Sequence, residues 1–169
     1  MAFDTPEELE AAITPKTKLL ILNNPSNPTG MFYDRDQLQA LADVCVKHDL
    51  YIMSDEIYYG LLYDNKKFTS VAALSEDIKE RTIIVNGVSK SYAMTGWRIG
   101  FIAGPAWIVK ACNKLQGQYT SGPCSVSQKA AEAAYTGTQA PVEDMRKAFE
   151  RRRDLIVKLA KEIPGLEVN

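Results

Sequence analysis

The sequence predicts an α/β fold in which a mostly parallel sheet carries helices on both faces, in α/β/α layers. Two patterns support this. Short apolar runs of strand length alternate with longer stretches whose apolar residues recur every three or four positions. The apolar runs end in clusters of Asn, Pro, Ser and Gly, and several helical stretches open on a capping residue. The chain has 169 residues, 46% apolar and 24% charged, the composition of an ordinary globular protein with enough chain for a real core.

Thr5-Pro6-Glu7-Glu8 has capping-box spacing with proline at the first helical position, so a short helix is expected to about Ile13. Lys18 to Leu22 is a compact apolar run and reads as a buried strand. Asp34 with Gln37 repeats the capping logic, and Leu38, Leu41, Ala42, Cys45 and Val46 then share one helical face. Leu50 to Met53 reads as a second strand ending at Ser54-Asp55. Ser75 to Arg81 reads as a helix, Thr82 to Val85 as a third strand and Ile99 to Ala103 as a fourth. Two helices follow, Ala106 to Leu115 and Ser125 to Tyr135. Pro141 opens a long helix that Pro164-Gly165 ends. Its Arg151-Arg152-Arg153 cluster, flanked by Glu150 and Asp154, reads as a solvated helix face rather than a basic binding patch.

A formal net charge of −1 gives no reason to expect a nucleic-acid or anionic-membrane partner. No apolar run approaches the ~20 residues that cross a bilayer. Cys45, Cys112 and Cys124 are odd in number and widely spaced, and His48 is the single histidine, so neither a disulfide framework nor a histidine metal site is expected. The expected compartment is the cytoplasm.

In sheets of this kind ligands sit at the carboxyl ends of the strands. Three of those ends carry unusual polar residues. After the first strand, residues 23–30 read NNPSNPTG. This is a rigid turn that either serves geometry alone or aims the Asn27 amide at an aromatic hydroxyl. At the end of the second, residues 54–59 read SDEIYY. A carboxylate there is costly unless paired, so Asp55 is either a cap or surface acid, or the partner of a cationic ring nitrogen. Tyr58 lies close enough to serve the same ligand. Glu56 should point the other way. After the third strand, residues 86–100 read NGVSKSYAMTGWRIG. Lys90 sits among small and hydroxyl residues, and the neutral amine of a lysine held partly out of water is a nucleophile toward an aldehyde. Arg98, between Trp97 and Ile99, suits a phosphate. Singly, Lys90 reads as a surface lysine and Arg98 as an ion-pair donor. Together the three strand ends supply what one phosphorylated aromatic aldehyde needs.

The three segments, in this order and spacing, resemble the fold-type I aminotransferases of class I and II, most of all the bacterial aspartate aminotransferase branch. The resemblance runs from Thr5 to Gly165. It implies pyridoxal 5′-phosphate as cofactor, with Lys90 forming the Schiff base and acting as proton carrier. It implies Asp55 at the pyridine nitrogen, Tyr58 and Asn27 at the ring hydroxyl oxygen, and Arg98 and Ser89 at the phosphate. Many relatives place a serine three residues before the lysine, where this chain has Gly87.

The implied reaction moves an amino group between an amino acid and a 2-oxo acid. A lyase of the same fold is the alternative within the chemistry, and a non-catalytic domain is the alternative outside it. The resemblance further implies that the chain is an internal piece of the large domain. Residues 1–140 would be part of the cofactor-binding domain, and 141–169 a helix leading toward a small domain that is absent. Relatives also carry a phosphate-cradling glycine loop, a ring-stacking aromatic and an arginine for the substrate carboxylate, none found here. The chain alone is therefore expected not to transaminate. Relatives are homodimers, and residues 118–127 resemble a stretch near their subunit interface.

Overall fold

A computed structural model describes residues 5–168. Four strands form one sheet in the order β1-β2-β3-β4, with β1 at Leu19–Asn23, β2 at Tyr51–Asp55, β3 at Thr82–Gly87 and β4 at Gly100–Ala103. The first three run parallel, in a register that aligns Asn23 with Asp55 and Asp55 with Val85. β4 returns antiparallel, pairing Gly87 with Gly100 and Ile84 with Ala103. This reversal matters for the site. An antiparallel strand starts at the edge where its neighbour ends, so the whole connection 88–99, with Lys90 and Arg98, stays at the carboxyl edge of the parallel strands.

The helices form where their caps and stripes predict. In α1 (Pro6–Ala12) the Thr5 hydroxyl accepts the Glu8 N–H. In α2 (Arg35–Lys47) the reciprocal capping box is complete: Asp34 accepts from the Asp36 and Gln37 amides, and Gln37 accepts the Asp34 N–H. Leu38, Leu41, Ala42 and Cys45 are buried against Leu20, Leu22 and Ile52, joined by Leu9, Leu50, Val71 and Ile78. Each buried leucine, isoleucine or valine of this set contributes about 2 kcal/mol by leaving water. The predicted helix 75–81 shrinks to α3 (Glu76–Lys79), started by the Ser75 hydroxyl and preceded by a 3-10 turn at Val71–Ala73. α4 (Ala106–Tyr119), α5 (Ser125–Thr136) and the long α6 (Ala140–Lys161) follow.

β1 departs from the expectation of a buried strand. Leu20 and Leu22 are buried, whereas Leu19 and Ile21 on the other face stand 40% and 64% exposed. The α1–α2 side supplies the core. On the opposite side Trp107 of α4 packs edge-on against Tyr51, 5.9 Å between centroids.

α6 does not present a uniformly solvated arginine face. Arg151 and Arg152 are exposed, but Arg153 turns back to grip Asp64 through both terminal guanidinium nitrogens at 2.7 and 2.8 Å. Glu150 accepts the Asp64 N–H at 2.7 Å, and Arg146 donates to the Leu62 carbonyl at 3.2 Å. The helix is thus tied to the turn that follows β2. None of the described helices is long and apolar enough to cross a membrane. No metal-binding cluster of His, Cys, Asp or Glu occurs among the described residues.

Candidate active site

The turn after β1 is held by its two asparagines. Asn24 is buried and closes the loop, donating to the Tyr33 carbonyl and accepting the Tyr33 N–H. Asn23 accepts the Asn27 N–H at 2.8 Å and donates to the Asp55 carbonyl at 3.2 Å, so one side chain fixes the ends of two strands. Both Asn24-Pro25 and Asn27-Pro28 are cis. Sequence reasoning singled out Asn27 and missed these neighbours. The doubled asparagine ahead of a proline is the signal that could have found them.

The Asn27 amide donates to the Tyr58 hydroxyl at 3.2 Å. The Lys90 amine lies 5.5 Å from the centroid of the Tyr58 ring, within reach of a cation–π attraction. Asn27, Tyr58, Ser89 and Lys90 line one cavity of about 640 Å³, which Phe32, Leu62, Met145 and Phe149 extend along an apolar wall. Four of the six predicted site residues therefore meet in one place. Asp55 and Arg98 do not line that cavity. The Asp55 carboxylate accepts the Ile57 N–H at 3.2 Å, at the end of the central strand of the parallel three. Arg98 is exposed, with φ at 51°, and donates to the Thr95 carbonyl at 3.0 Å. Thr95 itself lines the cavity.

Glu56 points away, as alternation along a strand end requires. It is buried and accepts from the hydroxyls of Ser54 at 3.0 Å and Ser70 at 2.7 Å. Burial pushes its carboxyl above the ordinary 4.5, against the pull of the two serines.

Gly87 has a local reason. A Cβ there would stand 2.9 Å from both the Gly100 Cα and the Ile99 carbonyl oxygen, which are backbone atoms that cannot swing aside. The hydroxyl that many relatives carry at this point has no room in this β3–β4 seam.

Residues 4–169 match the family of class I and II aminotransferases. The chain is 54% identical over 161 residues to an aspartate aminotransferase of Geobacillus stearothermophilus, covering 95% of this chain and 41% of that protein. It is 47% identical over 164 residues to an asparagine–oxo-acid transaminase of Streptococcus mutans, covering 97% of this chain and 42% of that protein. Among solved structures, an aspartate aminotransferase from Rhizobium meliloti superposes with a TM-score of 0.93 at 44% identity, over 95% of this chain and 40% of its own. The chain thus spans about two fifths of the length of the relatives it matches. With the strand-end residues gathered as described and the match running through the described sheet and helices, the chain belongs to the class I and II aminotransferase family.

Proposed function

We propose that this chain supplies the cofactor-holding part of a pyridoxal-phosphate-dependent transaminase that exchanges an amino group between aspartate, or a similar amino acid, and a 2-oxo acid. The observation that carries this is the Lys90 amine over the face of Tyr58, whose hydroxyl receives the Asn27 amide in the same cavity. The donor set fits the cofactor. A primary amine, a phenol and an amide surround one cavity, and a carboxylate ends the central strand between them.

When bound, pyridoxal 5′-phosphate supplies an aldehyde for an amine and a ring that accepts the electron pair left at the substrate Cα. Lys90 is the amine that holds it. The Lys90 amine, when free, would take the proton from the substrate Cα and deliver it to the carbon that carried the aldehyde. Tyr58 and Asn27 bind the ring hydroxyl oxygen, and their mutual hydrogen bond sets both groups beforehand. Asp55 keeps the ring nitrogen protonated. Ser89 and Arg98 take the phosphate, and Arg98 suits a doubly charged anion by its planar fork.

Residues 1–140 form part of the cofactor-binding domain, and α6 leads toward a second, smaller domain. Support comes from the distal half of α6 and the turn after it, where Leu155, Ile156 and Leu159 of the helix and Ile163 beyond it are all more than half exposed. The working unit is a homodimer in the cytoplasm. Exposed Tyr119 and Val126, within the stretch 118–127, support a subunit contact there.

The test is an absorbance spectrum of the purified protein after adding pyridoxal 5′-phosphate. A near-ultraviolet to visible band that borohydride removes, and that Lys90→Ala abolishes, is expected. An undiminished band in Lys90→Ala, or no band in the wild type, overturns the assignment.

A further inference from the structure

Two turns must stay in fixed relation for the Lys90 amine to meet Tyr58, and neither β2 nor β3 reaches that far. β2 ends at Asp55 and β3 at Gly87. The residue after Tyr58 and the second residue after Lys90 are both tyrosines, and their hydroxyls lie 3.2 Å apart. The Tyr92 hydroxyl also meets Gln139 Oε1 at 2.9 Å. Gln139 Nε2 donates to the carbonyls of Ala134 at 3.0 Å and Gly137 at 2.9 Å, which fixes which end of the amide faces Tyr92.

The direction of every proton in this chain then follows. Gln139 Oε1 only accepts, so Tyr92 spends its single proton there. Tyr59 must therefore be the donor to Tyr92. Burial pushes the Tyr59 hydroxyl well above its usual range, so it keeps the proton it needs. The rings are held as well, Tyr92 edge-on to Tyr135 at 5.1 Å and Tyr59 against Phe68 at 6.0 Å. The two turns also touch between the tyrosines. A Cβ on Gly60 would fall 2.7 Å from the fully buried Ser91 hydroxyl.

We infer that Tyr92 is a positioning residue, whose hydroxyl clamps the Lys90 turn to the Tyr58 turn and to the start of α6, so that the Lys90 amine is held at the Tyr58 ring. The inference rests on the reading of Lys90 as the cofactor lysine. It adds a residue outside the cavity wall that sets how fast and in what orientation the cofactor is taken up.

Tyr92→Phe and Tyr59→Phe each remove one hydroxyl of the clamp and keep the ring contacts. Three quantities are compared in the wild type, both variants and the double variant. The first is hydrogen exchange of the Ala93 amide, which donates to the Lys90 carbonyl and needs no cofactor to be read. The second is the rate at which pyridoxal 5′-phosphate forms the borohydride-sensitive band. The third is the circular dichroism of that band, which reports ring orientation and is indifferent to general stability. Each single variant is expected to exchange faster at Ala93, to condense about tenfold more slowly and to lose much of the induced dichroism. The double variant should be no slower than the slower single, because one contact is shared. Unchanged rates and dichroism, or two penalties that simply multiply, overturn the clamp. A wild type without the band overturns the cofactor reading instead, and Ala93 exchange then decides the clamp alone, with no acceleration refuting it.

Discussion

At the scale of single residues, the site depends on small polar side chains that each serve two partners. Tyr58 takes the Asn27 amide on its hydroxyl and the Lys90 amine on its ring face. Tyr58→Phe keeps the ring and loses the acceptor. Cofactor affinity, measured by titrating the absorbance band, should fall about tenfold, the scale of one good hydrogen bond. Glu56 behaves oppositely to a salt-bridged acid. Its carboxyl titrates higher in the folded chain than in the unfolded one because burial disfavours the charge. The folded state holds that proton more tightly, so Glu56 favours folding at low pH, and this advantage is lost as pH rises from about 4.5 through the raised value. Glu56→Gln still accepts from Ser54 and Ser70. Urea unfolding of the variant should therefore show less loss of stability across that window, and an unchanged slope would count against the argument.

At the scale of elements, the caps carry most of what the sequence made legible. Thr5 and Asp34 each start a helix as their spacing predicts, and Ser75, read only as the first residue of a helix, proves to be a cap as well. Asp34→Ala removes the acceptor for two amides at the start of α2 and should cost about 1 kcal/mol in urea unfolding. Strand bounds moved by a residue or two, since apolar runs mark strands better than their ends do. α3 came out shorter because Ser75 and Glu80 serve as its caps and Arg81 bonds back only three residues, to the Ile78 carbonyl. The direction of β4 was not legible, because nothing in a four-residue strand distinguishes parallel from antiparallel pairing. The Asn27–Tyr58–Lys90 grouping was legible, because all three residues follow strand ends on one edge. The Arg153–Asp64 grip was not, since it joins residues far apart in sequence through side chains whose types are ordinary on any surface.

At the scale of the molecule, one-sided burial is the dominant feature. The α1–α2 side of the sheet has a closed core. Ile21, Tyr119, Val126 and Ile156 stand 64%, 83%, 64% and 67% exposed across β1, α4, α5 and α6. An apolar run such as β1 is written for cover on both faces, which is why the sequence read it as buried. Open apolar surface on this scale drives association. Sedimentation of the 169-residue chain should give species larger than a monomer, growing with concentration, whereas a monomer at all concentrations would contradict this. The strand order has a consequence of a different kind. β1, β2, β3 and β4 lie side by side in the order in which they occur along the chain. As the polypeptide leaves the ribosome, each strand meets the one made just before it, already in place. The sheet can therefore be laid down from one side to the other in the direction of synthesis, and the turn bearing Lys90 takes shape only when β4 closes behind it.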